Sequence, residues 1–370
     1  MRTMRAAIQF KPEAPLEVVD GVEIDDPARG EVLVRVSHCG VCQSDLGIAA
    51  GKLPYPFPVI LGHEAAGSIA AVGEGVDDLK VGDRVVLSMK APCGNCASCL
   101  SGQPVMCDRS GGPLSPLDRA AALPRVRLRG MPITRGLRLG AFAEFVLAER
   151  SGVVAVPEGL PLAQACLVGC AVQTGLGSVL NIAQVKGGDI AAVIGTGAVG
   201  LSLIGALRVA GAREIVGIEV HEQRRQSAIL FGADSVLDPT TPDFESDVSG
   251  LVSRKGGFDH VFDVVGSAQT LAYASKLVRK GGAITLIGVP PVGVPLAIPA
   301  LDIVMRQLTV RGSFLGNSHP QRDLPRYLDL CCGGRFDLSA LLTRLRPLEE
   351  INEAFDDLRQ GVGIRTVLTL

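Results

Sequence analysis

Residues 190–200 read Ile-Ala-Ala-Val-Ile-Gly-Thr-Gly-Ala-Val-Gly. Five apolar residues form a short buried strand, Gly195, Gly197 and Gly200 form a G-x-G-x-x-G turn, and 201–210 continues as an apolar helix. A dinucleotide-binding unit requires this order. Gly195 makes the tight turn, Gly197 admits a pyrophosphate, and Gly200 lets helix and strand pack closely. The phosphates then meet the positive end of the helix. A glycine turn alone is common in βα units, and the flanking strand and helix give this one its weight.

Working outward, 214–218 (EIVGI) is a second strand and 224–231 a second helix, with further strands at 260–265 and 283–287. Strands alternating with helices imply a parallel α/β sheet. Glu219 ends the second strand, 19 residues after Gly200. A carboxylate there accepts both ribose hydroxyls and repels a 2′-phosphate, which predicts NAD over NADP. Arg224 and Arg225 lie just beyond, and arginines can hold a phosphate. Upstream the pattern changes. The runs 32–36 (VLVRV), 69–72 and 84–87 are short, β-like and divided by turns. The stretch 110–140 is rich in Pro, Gly and Arg and reads as a long irregular lobe, and the tail after 312 mixes helix and strand.

Length and charge bound the function. The chain has 370 residues with 36 basic and 38 acidic side chains, a formal charge of −2. At roughly 100–200 residues per domain, two domains are expected. Near-neutral charge removes the electrostatic basis for a nucleic-acid or polybasic membrane binder. The uncharged stretches 161–185 and 190–207 approach membrane-spanning length, but glycines and polar residues such as Gln173, Thr174 and Asn181 interrupt them. The first ten residues are too short and polar for a signal peptide. A cytoplasmic protein is therefore expected, in which ten cysteines point to metal binding or catalysis rather than disulfides.

Cys93, Cys96, Cys99 and Cys107 follow a C-x2-C-x2-C-x7-C spacing among loop residues. Four thiolates close a tetrahedral zinc site with no open position, which staples a loop. Cys42 and His63 lie 21 residues apart at β-like turns, and Cys170 lies far along the chain. Together they form the Cys2His set of a catalytic zinc with a fourth, open position. Cys39, Cys166, Cys331 and Cys332 read as core or surface thiols, and His38, His221, His260 and His319 as structural or solvated groups.

At these residues the sequence resembles the zinc-dependent medium-chain alcohol dehydrogenases. Gly62-His63-Glu64-x2-Gly67-x5-Gly73-x2-Val76 looks like the family's zinc signature, and the four-cysteine lobe, the 195–200 turn and the closing Gly363-Ile-Arg365-Thr match as well. The resemblance covers essentially the whole chain. It implies a β-rich GroES-like catalytic domain from 1–171 and 315–370 and a Rossmann doubly wound parallel sheet domain from 172–314. It further implies two zinc ions per chain and NAD, acting on a small-molecule alcohol or aldehyde. Cys42, His63 and Cys170 would hold the catalytic zinc, with Glu64 exchanging with water as a ligand and Asp45 orienting His63. Ser44 would take the alcohol proton and pass it on. Thr174, Val199 and the Val289-Pro-Pro291 run would meet the nicotinamide, and Arg365, like Arg224, would serve the cofactor.

Two positions depart from the family pattern. Gly47 stands where many relatives have a proton-relay histidine, and Gln43 where they often carry a basic residue on the pyrophosphate, so weaker cofactor holding is expected. Leu53 and Met89 hint at an apolar pocket for a larger aliphatic or aromatic primary alcohol. The arginines at 125, 127, 129, 135 and 138 read as a solvated basic face, or alternatively as an anion-binding lobe suited to a thiol adduct of formaldehyde. A non-catalytic nucleotide-binding protein and a zinc-free quinone reductase are disfavoured by the complete ligand set. Relatives with a long lobe are often dimers, which implies a homo-oligomer, dimer first and tetramer second.

Overall fold

The computed structural model describes residues 1–109, 124–290, 293, 295 and 298–370. The chain divides into two compact units, Met1–Cys170 with Ser318–Gly334 and Leu338–Leu370, and Ala171–Asn317 with Arg335–Asp337.

The first unit is built on two β-sheets. The Glu31–Gly40 strand is central to the larger one. Its Val32, Leu33, Val34 and Val36 are buried while Arg35 faces out. It pairs antiparallel with Glu64–Val72, with Phe145–Glu149 and with the C-terminal Arg365–Thr369 strand. The register sets Gly40 opposite Glu64 and Val36 opposite Gly67. A Cβ at Gly67 would lie 2.0 Å from the Arg35 carbonyl oxygen, so only glycine lets the two strands approach at that point. The tail thus returns to the first unit, as Val367 pairs with Gly40 and Leu368 with Cys39.

The expectation of an irregular lobe over 110–140 is corrected where it is described. Val126–Leu128, Met131–Pro132 and Thr134–Arg135 are strands of the smaller sheet. They are two or three residues long, too short to show a period. Residues 110–123 lie outside the described part.

The second unit is a six-stranded parallel sheet. Across the sheet the strands run Ser235–Leu237, Glu214–Ile218, Ile190–Ile194, Phe258–Asp263, Val278–Leu286 and Thr309–Gly312. In chain order this is 3-2-1-4-5-6, the doubly wound Rossmann arrangement, whose strand order reverses beside Ile190–Ile194. Apolar side chains of strands and helices, among them Ile190, Val216, Val261, Phe244 and Leu277, close its core. The expected strands 190–194 and 214–218 match, whereas the next two start earlier, at Phe258 and Val278.

Among the described residues no single helix is long and apolar enough to cross a membrane. The stretch 161–185 breaks into short helices at Cys170, whose φ of −144° and ψ of −72° interrupt the run.

The Leu342–Pro347 strand, which flanks Arg365–Thr369, is pinned by Asp357 of the Ile351–Arg359 helix. Asp357 accepts from Arg344 Nη1 at 2.8 Å and from Arg346 Nε at 2.9 Å. Burial pushes its carboxyl up, but the hydrogen bonds from Arg346 and Arg344 outweigh that and hold it below the usual range. A lowered folded-state pKa stabilises above the unfolded value of ~3.9, and the contribution disappears as pH falls through the folded value. Asp357→Asn is therefore expected to cost about 1 kcal/mol at neutral pH, given partial solvent screening, and nothing at low pH. Denaturant unfolding of both chains across this pH range checks it; a deficit that persists at low pH would contradict the charge argument.

Candidate functional site

The strand register brings together three residues far apart in sequence. Cys42 caps the Gln43–Ala49 helix just beyond the Glu31–Gly40 strand, and His63 immediately precedes Glu64–Val72. Cys170 follows the Cys166–Gly169 turn, seated because Gly169 lies against the Leu87 carbonyl. Donor atoms of Cys42, His63, Glu64 and Cys170 all lie within 4.8 Å of one another, and all four residues are buried.

Asp45, fully buried, organises this cluster. Its Oδ1 accepts from the Gly62 amide at 2.9 Å and lies 3.1 Å from His63 Nδ1, and its Oδ2 accepts from the Cys42 amide at 3.2 Å. The pairing puts the imidazole proton on Nδ1 and turns Nε2 toward the two sulfurs. Nε2 is buried and has no hydrogen-bond partner in the protein. A buried nitrogen left this way is costly unless a cation meets it. Two thiols and one imidazole nitrogen suit zinc and leave one position open.

The buried charges of the cluster act strongly on one another. Cys42 is held well below the usual thiol range, by the Cys170 thiol foremost and then by Arg365 and His63. Burial would push His63 down, but the Asp45 and Cys42 charges outweigh it and raise it well above the usual range. Glu64 is pushed up to about 7 by burial, against the pull of Arg365. Arg365 itself is buried, its Nη1 donating to the Val41 carbonyl at 2.6 Å and its Nη2 lying 3.2 Å from Glu64 Oε1. The Gly363-Ile-Arg365-Thr motif alone does not reveal this ion pair; its only sequence signal is the second charge at Glu64. Ser44 is half-buried in the first turn of the helix. A Cβ at Gly47 would meet only the Leu53 side chain, at 3.5 Å.

The second cluster joins Cys93, Cys96, Cys99 and Cys107, with ligand atoms again within 4.8 Å of one another. The Cys107 sulfur accepts from the Cys93 amide at 3.3 Å and lies 3.9 Å from the Cys96 sulfur. Burial, together with the neighbouring thiols, pushes Cys99 up to about 12. A bound dication reverses such crowding by deprotonating the thiols. All four positions come from protein, so this site closes without room for a substrate.

In the second unit the glycine turn joins Ile190–Ile194 to the Ala198–Val209 helix, with Gly197 as its N-cap. A Cβ on Gly200 would strike the Gly195 carbonyl at 2.0 Å, whereas one on Gly197 would meet nothing within 4 Å. That open backbone is the cradle a pyrophosphate needs. Glu219 is buried beside it, its Oε2 accepting from the Thr196 amide at 2.8 Å and its Oε1 from the His221 amide at 3.0 Å. Thr196 and His221, neither of them a site residue in the motif, supply the amides that hold Glu219. Arg224 is half-buried in the helix after Glu219, Val199 is half-buried in the turn helix, Thr174 is buried, and Val289 is 65% exposed. Pro291 lies outside the described residues.

The arginines of the lobe are not simply solvated. Arg125 bonds Asp25 and Glu31, Arg127 bonds Asp25, Arg135 donates to the Leu147 carbonyl, and Arg138 pairs with Glu149. The acids that answer them come from distant strands, which a local charge count does not show. His260 likewise pairs with Asp189 at 3.1 Å.

Two family models match the chain, an alcohol dehydrogenase GroES-like domain over residues 28–158 and a zinc-binding dehydrogenase over 198–332. It is 35% identical to an S-(hydroxymethyl)glutathione dehydrogenase of Haemophilus influenzae, over 98% of this chain and 96% of that protein. Among solved structures it resembles benzyl alcohol dehydrogenase of Acinetobacter calcoaceticus, with a TM-score of 0.92, 29% identity and 100% of both chains covered. An alcohol dehydrogenase zinc-binding domain protein of Burkholderia ambifaria also has a TM-score of 0.92, at 31% identity, covering 100% of this chain and 99% of that one.

The two clusters predict separable metals. Elemental analysis of the purified chain is expected to give two zinc ions, and either Cys42→Ser or Cys107→Ser should leave one. Loss of the Cys107 site lowers stability, because the site staples its loop, while loss of the Cys42 site abolishes turnover. A full zinc complement in either variant would contradict the ligand sets.

Proposed function

The chain belongs to the zinc-dependent medium-chain alcohol dehydrogenases, and from that premise we propose that it moves a hydride between a larger aliphatic or aromatic primary alcohol and NAD, reversibly with the aldehyde. That it is a zinc-dependent, NAD-linked oxidoreductase follows from the family; the substrate class is the added reading. The observation that carries the chemistry is the buried Cys42–His63–Cys170 donor set with its unpartnered imidazole nitrogen.

Zinc, when bound, supplies the Lewis acidity that makes the alcohol hydroxyl acidic, and NAD supplies the hydride acceptor. The chain's own residues do the rest. Cys42, His63 and Cys170 hold the metal, Asp45 orients His63, and Glu64, with its charge answered by Arg365, is positioned to exchange into the metal shell. Ser44 accepts the hydroxyl proton and passes it on; with glycine at 47 the proton leaves to water. Gly195, Gly197 and Gly200 seat the pyrophosphate, Glu219 takes the ribose hydroxyls, and Arg224 and Arg365 answer the cofactor's charge. Thr174, Val199 and Val289 pack on the nicotinamide. The domain reading is a metal-binding catalytic domain over 1–171 and 315–370 and an NAD-binding domain over 172–314, supported by compact units that divide after Cys170 and Asn317.

Two features favour an uncharged substrate. The lobe arginines 125, 127 and 138 are answered by carboxylates and not held ready for an anion. The sequence adds Leu53 and Met89, the apolar residues expected at the substrate pocket. The second reading is a thiol adduct of formaldehyde, favoured by the 35% identity to an S-(hydroxymethyl)glutathione dehydrogenase. NADH formation with short, long-chain and aromatic alcohols, and with formaldehyde with and without glutathione, separates the two. Higher kcat/KM on aromatic or long-chain alcohols supports the first; turnover only with formaldehyde plus glutathione overturns it.

The same reading includes a cytoplasmic setting, supported by ten cysteines of which none is bridged, and a homodimer, with a tetramer second. The Ala300–Met305 helix has no buried side chain, and Leu301, Val304 and Met305 are exposed beside the edge strand Thr309–Gly312. A face of that kind suits pairing with a second copy. Sedimentation is expected to show a dimer that Val304→Lys shifts to monomer; an unaltered monomeric chain would overturn the dimer.

A further inference from the structure

The turn after Glu219 contains a guanidinium that the dinucleotide site does not use. Arg225 Nη1 donates to the Val220 carbonyl at 2.7 Å and the Glu219 carbonyl at 3.1 Å, and lies 2.9 Å from Asp238 Oδ2. Its Nη2 faces Glu222 at 3.9 Å. Asp238 is placed there by the sheet. The Ser235–Leu237 strand sets Leu237 beside Ile218, and the Glu219 amide donates to the Leu237 carbonyl at 3.0 Å. The residues that follow, Glu219 and Asp238, therefore lie side by side with one arginine in common. Asp238 is itself anchored, its Oδ1 accepting from the Thr240 amide and hydroxyl at 2.9 and 2.6 Å.

We propose that Asp238 is a specificity-determining positioning residue, which holds Arg225 against the backbone so that its guanidinium is not offered to a 2′-phosphate beside Glu219. The proposal rests on the dinucleotide reading of this unit. Exclusion of NADP then has two parts. Glu219 presents a carboxylate fixed by two amide donors, which repels a phosphate. Arg225, the cation next to it, has its charge answered by Asp238 and one end of its fork turned onto two carbonyls. A guanidinium free of such partners binds phosphate through two parallel hydrogen bonds. Both side chains of the pair are one-fifth exposed. At that exposure the pairing weakens greatly once the carboxylate charge is gone, and the arginine can swing out.

The test uses the full-length zinc-loaded protein and two probes without nicotinamide, ADP-ribose and 2′-phospho-ADP-ribose, titrated by calorimetry. The unaltered chain is expected to bind ADP-ribose and to bind its 2′-phosphorylated form much more weakly. Asp238→Asn keeps the Thr240 contacts through Oδ1 and removes the charge. It should tighten 2′-phospho-ADP-ribose about tenfold, the scale of one charge-assisted contact, and leave ADP-ribose within about twofold. Adding Arg225→Ala to that variant should erase the gain, which a general loosening of the turn would not predict. An unchanged ratio between the probes in Asp238→Asn overturns the proposal, whether both affinities hold or both fall together. Failure of the unaltered chain to bind ADP-ribose overturns the dinucleotide reading and this proposal with it.

Discussion

The carboxylate of Asp45 ties the metal centre to the backbone. It accepts from the amides that precede His63 and belong to Cys42, and it faces the imidazole itself. One buried side chain thereby joins the end of the Glu31–Gly40 strand, the start of the Gln43–Ala49 helix and the start of the Glu64–Val72 strand. The sheet register brings those three ends together, and Asp45 converts that proximity into ligand geometry. Without a negative group at this position, the imidazole has nothing to hold its proton on Nδ1, and the nitrogen aimed at the two sulfurs loses its defined role.

The surrounding shell carries charges that would be unfavourable in isolation. Cys42, Glu64 and Asp45 are acidic groups in one buried pocket beside the Cys170 thiol, which Cys42 and burial push up, and they are answered within the protein by His63 and Arg365. A dication resolves this imbalance more directly than any rearrangement of side chains, since it meets two sulfurs and one nitrogen at once. The closed four-cysteine cluster presents the same donor chemistry, with four sulfurs gathered within 4.8 Å of one another.

What could be read from the chain beforehand was what is local. The strand, glycine turn and helix at 190–209 are contiguous, so period and steric need appear in adjacent letters, as do the cysteine spacing of the lobe and the glycines around His63. The zinc-dependent family and its two-part fold were legible on that basis. The pairings of Arg365 with Glu64, Arg125 with Asp25, and Arg225 with Asp238 were not. Each joins residues that only sheet register brings together, and arginine and carboxylate are too common for their presence to indicate which of them meet. The strands between 126 and 135 escaped for a different reason, since two or three residues cannot display an alternation.

Asp45 and Glu219 share a mode of support. Asp45 is held by the Gly62 and Cys42 amides, and Glu219 by the Thr196 and His221 amides. Backbone donors orient a carboxylate without an opposing charge, which leaves Asp45 to face the imidazole and, on the proposed reading, Glu219 to face ribose hydroxyls. An arginine in the same place would have fixed the geometry and neutralised the function. Glu64 is the contrasting case: it is paired with a guanidinium, and its carboxyl is nonetheless pushed up to about 7 by burial.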